Sequence, residues 1–174
     1  MQGMVERPGV ITMKGKPLTL MGREVHAGEA APDCEVVATD LTPFKLSSLQ
    51  GKVAVICSVP SLDTPTCDLE TRRFNEEAAK LGPDVVIVTL SMDLPFAQRR
   101  WCGAAGVDRV KTYSDHRTAA FGQAYGVLIK ELRLLARAVF VVDKAGVVRY
   151  VQLVKELAHE PNYDEVLQAV SELT

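Results

Sequence analysis

Two runs of apolar, mostly β-branched residues dominate the first half of the chain: KVAVICSV at residues 52–59 and DVVIVTL at residues 84–90. Nearly unbroken runs of this kind predict strands that are buried on both faces of a sheet. The segment between them predicts a helix, with Thr64 as its N-cap, Pro65 in its first turn and Gly82-Pro83 at its end. The predicted apolar stripe of this helix consists of Leu69, Phe74, Ala78 and Leu81.

The rest of the pattern alternates short strands with short helices. Further strands are predicted at residues 34–38, 44–46 and 110–113, and further helices at residues 94–102, 119–125 and from Tyr163 onwards. Glycine-containing turns predict two hairpins, one formed by residues 10–13 and 18–20 and the other by residues 138–142 and 147–151. This order predicts an α/β fold with a central mixed sheet flanked by helices on both faces. We expect one domain over residues 1–174, with the N-terminal β-hairpin as an extension over about residues 1–30.

Composition and charge exclude several classes of protein. The 174 residues include 47% hydrophobic side chains, too large a share for a disordered segment. The 20 Lys and Arg side chains nearly balance the 22 Asp and Glu side chains, so no general basic field is present to attract nucleic acid or an anionic membrane. No segment has the pattern of a signal peptide or a membrane span, and we therefore expect a cytoplasmic protein.

The four cysteines are too few for a disulfide-dense scaffold, but one of them could be reactive. They form no C-x-x-C pair, so neither a dithiol redox motif nor a zinc site is predicted. Cys57 lies inside a predicted buried strand, and Cys34 lies between the carboxylates of Asp33 and Glu35. Both surroundings disfavour a thiolate, so we expect these two cysteines to be packing residues.

Cys67 differs because it falls in the first turn of the predicted helix, where free backbone N–H groups and the helix dipole stabilise an anion. The carboxylates of Asp68 and Glu70 oppose a thiolate there, so a reactive Cys67 requires a cation from elsewhere in the chain. A cysteine that is merely tolerated at this position is the alternative. Cys102 ends the next predicted helix, where an anion is disfavoured, and it is either a core residue or a resolving thiol for Cys67.

Several segments resemble a known family. PSLDTPTC at residues 60–67 matches the Pro-x-x-x-Thr-x-x-Cys signature of peroxiredoxins. The longer segments SMDLPFAQRRWCGAAG, YSDHR, FGQAYGVLIKELRLLARAVFVVD and EPNYDEVL resemble the bacterial thiol peroxidases, which are atypical two-cysteine peroxiredoxins. Thr66, Met92 and Trp101 depart from the expected pattern, since Val, Ala and Phe are expected there. The resemblance implies a thioredoxin-like fold with an added N-terminal hairpin.

The resemblance also assigns roles to particular residues. It implies that Cys67 is the peroxidatic cysteine and Cys102 the resolving cysteine of the same chain. It implies that Arg137 contacts the reactive sulfur, that Thr64 is its hydroxyl partner and that Pro60 closes over the substrate pocket. Without the resemblance, Arg137 would be predicted as a solvated strand end. With it, Arg137 becomes the cation that a reactive Cys67 requires.

The function implied by the resemblance is antioxidant defence by reduction of hydrogen peroxide and organic hydroperoxides. Cys67 would become a sulfenic acid, Cys102 would condense with it to form an intramolecular disulfide, and thioredoxin would reduce that disulfide. No metal, haem or flavin is implied, and homodimers are typical of the family. Two alternatives are a redox sensor or relay that passes its disulfide to a partner protein, and a structural thioredoxin-fold module with inert cysteines. Because a disulfide needs Cα atoms within about 7 Å, the two helix ends that carry the cysteines are expected to unwind on oxidation.

Overall fold

The two apolar runs form neighbouring central strands of a seven-stranded sheet in the computed structural model, which describes residues 4–174. The strands are β1 (Glu6–Met13), β2 (Lys16–Met21), β3 (Glu35–Ala38), β4 (Pro43–Lys45), β5 (Val53–Ser58), β6 (Val85–Ser91), β7 (Lys111–Ser114), β8 (Leu128–Ile129), β9 (Leu134–Leu135), β10 (Ala138–Val142) and β11 (Val148–Leu153). The helices are α1 (Pro65–Ala78), α2 (Pro95–Ala105), α3 (Ala120–Ala124) and α4 (Tyr163–Ser171), and Leu46–Leu49 forms a 3-10 turn.

The large sheet is mixed, as the sequence predicts. Its strand order is β11-β10-β5-β6-β7-β3-β4, in which β5, β6 and β7 are parallel and the other neighbours are antiparallel. All six residues of β5 are buried. Because successive side chains point to opposite faces, Ala54 and Ile56 pack with α3 and the N-terminal hairpin, whereas Val53, Val55 and Cys57 pack with α1 and α4. The predicted α/β fold with a covered sheet is confirmed.

The predicted N-terminal hairpin is confirmed as β1 and β2, which pair around Lys14-Gly15. Both turn residues have positive φ angles, 50° and 80°, as the twist of a two-residue hairpin turn requires. The hairpin continues into a second sheet of order β1-β2-β8-β9. Sequence patterns missed β8 and β9 because strands of two residues have no detectable periodicity. The first three residues of the predicted extension lie outside the described residues.

The ends and the buried face of the helices differ from the prediction. Helix α1 ends at Ala78, before Gly82, and α2 continues through Gly103 to Ala105. Gly106 ends α2 because it adopts the left-handed conformation, with φ 69°. Leu69 does not belong to an apolar stripe and is 52% exposed; the buried positions of α1 are instead Cys67, Glu70, Thr71 and Phe74. In the described part of the chain, no helix combines the length and apolarity needed to cross a bilayer.

Candidate active site

Cys67 lies in the first turn of α1, at the end of the loop that follows β5. Thr64 caps this helix as predicted: its Oγ1 accepts a hydrogen bond from the Cys67 backbone N–H at 3.1 Å. The same hydroxyl donates to the Ser61 carbonyl oxygen at 3.1 Å, which fixes the orientation of its proton. Pro65 occupies the first turn, where its missing N–H costs no hydrogen bond. The cap therefore aims the positive end of α1 at the Cys67 position.

The Cys67 side chain is fully buried and contacts the guanidinium of Arg137. It packs with Val59 and Leu62, and the partly buried Trp101 covers this small cluster. The Arg137 Nη1 atom donates to the Cys67 sulfur at 3.3 Å. A guanidinium at this distance supplies the cation that the sequence argument requires for a thiolate.

Arg137 is 1% exposed, so its interpretation as a solvated strand end is wrong. It directly precedes β10, whose first residue Ala138 pairs with Ser58 at the end of β5. Antiparallel pairing thus places Arg137 beside the point at which the chain leaves β5 towards Cys67. Its Nε and Nη2 atoms donate to the Leu157 carbonyl oxygen at 3.2 and 2.9 Å, and these bonds hold the guanidinium plane in place.

The N-terminal hairpin supports this arrangement indirectly. The Leu157 N–H donates to the Thr12 carbonyl oxygen at 2.8 Å, so β1 holds the residue whose carbonyl holds Arg137. Thr66, which departs from the expected valine, adds a second connection to the same segment. Its hydroxyl donates to the Ala158 carbonyl oxygen at 3.1 Å, fixing the first turn of α1.

Glu70 belongs to the site, although sequence reasoning treated it only as a charge opposed to the Cys67 thiolate. Its carboxylate is 1% exposed and lies 3.6 Å from Arg137 Nη1. Within residues 4–174, neither of its carboxylate oxygens has a hydrogen-bond partner. Burial raises the pKa of Glu70 from 4.5 to about 8, while Arg137 opposes this increase and Glu160 adds to it. Its position three residues after Cys67, on the same helix face, was the available sequence signal.

Cys102 lies in the last turn of α2, and its sulfur contacts Thr112 of β7. The sulfur is 3.5 Å from Thr112 Oγ1 and borders a cleft of about 490 Å³, together with Arg99, Lys111 and Tyr113. Cys67 and Cys102 are both free thiols in this structure. The fold therefore brings Cys67 together with Thr64 and Arg137 but leaves the sulfur of Cys102 outside that group.

Pro60, Cys57 and Cys34 complete the set of residues singled out in the sequence. Pro60 is buried immediately after Val59, a neighbour of Cys67. Burial and the nearby Glu70 raise the pKa of Cys57 well above its ordinary value. Burial, Asp115 and Asp33 raise the pKa of Cys34 to about 12. Both thiols stay protonated at neutral pH, as expected for packing residues.

Known proteins resemble this chain over most of its length. The profile of the Redoxin family matches residues 26–167. The chain belongs to the Redoxin family. The thiol peroxidase of Bacillus subtilis (strain 168) is 55% identical over 163 residues, which cover 94% of this chain and 97% of that protein. The thiol peroxidase of Halalkalibacterium halodurans is 54% identical over 159 residues, covering 91% and 95%.

Solved structures confirm the thioredoxin-like Redoxin fold. A peroxiredoxin-like protein from Aquifex aeolicus superposes with a TM-score of 0.89 and 45% identity, covering 99% of this chain and 100% of that chain. A thiol peroxidase from Chromobacterium violaceum, at 19% identity and a TM-score of 0.83, shares the fold over 99% of this chain and 97% of its own. The resemblance to bacterial thiol peroxidases inferred from the sequence is thus confirmed.

Proposed function

We propose that this Redoxin-family chain is a thiol peroxidase that reduces hydrogen peroxide and organic hydroperoxides. The observation that carries the proposal is the 3.3 Å contact between Arg137 Nη1 and the buried Cys67 sulfur at the N-terminus of α1. A helix N-terminus and a permanently charged guanidinium both favour the thiolate, which is the nucleophilic form of cysteine. The relatives named thiol peroxidase, which match over nine-tenths of the chain, support the same conclusion.

In the first step, the Cys67 thiolate attacks the terminal oxygen of the hydroperoxide. An S–O bond forms as the O–O bond breaks, the sulfur is oxidised to a sulfenic acid, and the leaving oxygen takes a proton to become water or an alcohol. Arg137 offers N–H donors to the two peroxide oxygens, and its charge stabilises the leaving oxygen. The Thr64 hydroxyl orients the peroxide, and Pro60 limits the access of water to the pocket.

In the second step, the Cys102 sulfur attacks the sulfenic sulfur of Cys67. An S–S bond forms, the S–O bond breaks and water leaves. The thioredoxin dithiol then reduces this disulfide by exchange and becomes oxidised itself. Since the Cys102 sulfur faces Thr112, the end of α2 and the first turn of α1 must unwind before the bond can form.

The proposal also covers the cellular location, domain organisation and oligomeric state of the enzyme. We place it in cytoplasmic antioxidant defence, as one domain over residues 1–174 that forms homodimers. Among the described residues, no contact or cluster favours the redox-relay alternative over simple turnover. Analytical ultracentrifugation of the reduced protein tests the dimer: a monomer at micromolar concentration would remove it from the proposal.

Single cysteine substitutions test the chemistry. Cys67→Ser is expected to abolish peroxide consumption, because the attacking sulfur is lost. Cys102→Ser is expected to consume about one equivalent of peroxide per chain and then stop thioredoxin-dependent turnover, because a sulfenic acid forms but is not resolved. Peroxide loss and thioredoxin oxidation are measured together.

Cys34→Ser is the matched control, since it removes a thiol that packing explains, and it should turn over normally. Mass spectrometry of the oxidised wild type should find two hydrogens lost and a Cys67–Cys102 link. Retained activity in Cys67→Ser would contradict the proposal.

A further inference from the structure

We propose that Asp68, Arg72 and Trp101 form a latch between α1 and α2, which sets the rate at which Cys102 reaches oxidised Cys67. Trp101 is then a positioning residue for the resolving step. This inference rests on the proposed function and identifies the contacts that control the rate of its resolving step. We refer to these three residues as the interhelical latch.

Each of the three latch residues contacts the other two. The Asp68 carboxylate accepts one hydrogen bond from Trp101 Nε1 at 2.8 Å and another from Arg72 Nε at 2.9 Å. Arg72 Nη1 also donates to the Ala105 carbonyl oxygen at 3.1 Å. The Arg72 guanidinium lies 5.9 Å from the centroid of the Trp101 ring, within the range of a cation–π contact. Two residues of α1 therefore hold the last turns of α2 at three points.

The latch connects the two segments that carry the proposed redox cysteines. Asp68 directly follows Cys67, and Trp101 directly precedes Cys102. The Trp101 ring also packs on the Val59, Leu62 and Cys67 cluster. Movement of Cys102 towards Cys67 therefore requires Trp101 to leave both its hydrogen bond and its packing position.

The first half of α2 is anchored differently. The buried Gln98 donates through Nε2 to Ser91 Oγ at 3.0 Å and to the Tyr113 carbonyl oxygen at 2.9 Å. The latch lies nearer to solvent, since the Arg72 and Asp68 side chains are 46% and 34% exposed. Exposed ion pairs are weak, so the last turns of α2 open more easily than the part held by Gln98. Within α2, the opening required for the disulfide is thus confined to the segment that contains Cys102.

The strength of the latch determines which of two reactions the Cys67 sulfenic acid undergoes. While the latch is closed, a second peroxide molecule can oxidise the sulfenic acid to a sulfinic acid, transferring an oxygen atom and leaving as water or an alcohol. Once the latch opens, Cys102 forms the disulfide and protects Cys67. A weaker latch therefore speeds resolution and reduces over-oxidation.

Trp101→Phe is the decisive variant, because it keeps an aromatic ring and every charge near Cys67 but removes the N–H donor. We expect disulfide formation after rapid mixing with hydrogen peroxide to accelerate about three- to tenfold, and the sulfinic fraction at a fixed peroxide excess to fall accordingly. Quenched samples are analysed by mass spectrometry. Asp68→Ala, which removes both acceptor contacts, should accelerate resolution at least as much.

Tyr163→Phe and Glu77→Ala are matched controls. Tyr163 donates through its hydroxyl to Glu160 at 2.7 Å and lies 5.1 Å below the Arg73 guanidinium, while Arg73 pairs with Glu77 at 3.2 Å. This set resembles the latch but contacts α4 instead of α2. Both controls should resolve at the wild-type rate.

A measurement without peroxide separates this inference from the proposed function. In the reduced protein, amide hydrogen exchange of Gly106 and Val107, whose N–H groups donate to the Cys102 carbonyl oxygen, should accelerate by the same factor in Trp101→Phe. Unchanged exchange and unchanged resolution in both latch variants would overturn the latch. Failure of the wild type to form a sulfenic acid at all would overturn the proposed function, with the exchange result still deciding whether the latch holds α2.

Discussion

The surroundings of Cys67 and Cys102 differ in almost every physical respect. Cys67 lies in the first turn of a helix, is fully buried and has a guanidinium at 3.3 Å, whereas Cys102 lies in the last turn of a helix beside an open cleft and a threonine hydroxyl. The helix dipole and the Arg137 guanidinium favour an anion at the first position, whereas the dipole at the end of α2 disfavours one at the second. In the proposed cycle, the Cys67 thiol therefore reacts in its present position, whereas the Cys102 thiol must move to reach it.

The largest effect is expected when the cation at Cys67 is removed. Arg137→Gln keeps a hydrogen-bond donor for the Leu157 carbonyl but loses the charge, and we expect the second-order rate of peroxide reduction to fall about 10²- to 10³-fold, the usual loss for one transition-state donor. Arg137→Lys should recover part of the rate, because an ammonium supplies the positive charge but lacks the planar set of N–H donors of a guanidinium. Stopped-flow measurement of sulfenic acid formation, with thermal unfolding to verify folding, provides the readout.

Arg99→Gln is the control for the second cysteine, since Arg99 lines the Cys102 cleft. It should change the rate of peroxide attack by less than about twofold, as an exposed charge far from the reacting atoms would. Equal losses in the Arg99 and Arg137 variants would mean that net charge, and not the contact with Cys67, controls the reaction.

The second prediction concerns Glu70, whose buried carboxyl shares Arg137 with Cys67. Its pKa is 4.5 when exposed and about 8 in the folded chain, so the folded state binds the additional proton between these values. Its contribution to stability is therefore complete below pH 4.5 and is lost as the pH rises towards 8, by an amount on the order of a few kcal/mol. Glu70→Gln cannot ionise and should lack this loss.

Urea unfolding of the wild type and Glu70→Gln across this pH range measures the difference in the free energy of unfolding. The free energy of unfolding of the variant should increase relative to that of the wild type as the pH increases, most steeply between the two pKa values. Glu76→Gln, at an exposed carboxylate on the same helix, is the control and should run parallel to the wild type. Parallel curves for Glu70→Gln as well would show that the carboxyl is already ionised in the folded protein.

Local signals allowed much of this contrast to be predicted from the sequence. The Thr64 cap and Pro65 place Cys67 at a helix N-terminus through contacts within one turn, and such contacts are visible in a short pattern. The two buried strands are equally local, because unbroken apolar runs need both faces covered. The end of α2 was misplaced because Gly103 and Gly106 are both possible stops, and only the backbone decides which adopts a left-handed φ.

The buried charged residues of the site, Arg137 and Glu70, could not be predicted from local sequence signals. Arg137 is buried because the pairing of β10 with β5 carries it to Cys67, Glu70 and the Leu157 carbonyl, contacts between residues far apart in the chain. Composition favours an exposed arginine, and only the family resemblance pointed to its role. The burial of Glu70 was not predicted by either route: an apolar stripe through Leu69 fits the pattern better than a buried carboxylate, yet Leu69 is the exposed side chain.

The smallest expected effect is optical and reports directly on the movement of Cys102. Trp101 is the only tryptophan in the chain, and it is partly buried against the Cys67 cluster. Formation of the Cys67–Cys102 disulfide should expose its ring, since the neighbouring Cys102 must move, and emission should shift to longer wavelength with loss of intensity. Cys102→Ser treated with the same peroxide forms a sulfenic acid without moving α2, so its emission should stay unchanged. An equal shift in that variant would mean that oxidation of Cys67 alone displaces Trp101, and the two cysteine regions would then be coupled before the resolving thiol acts.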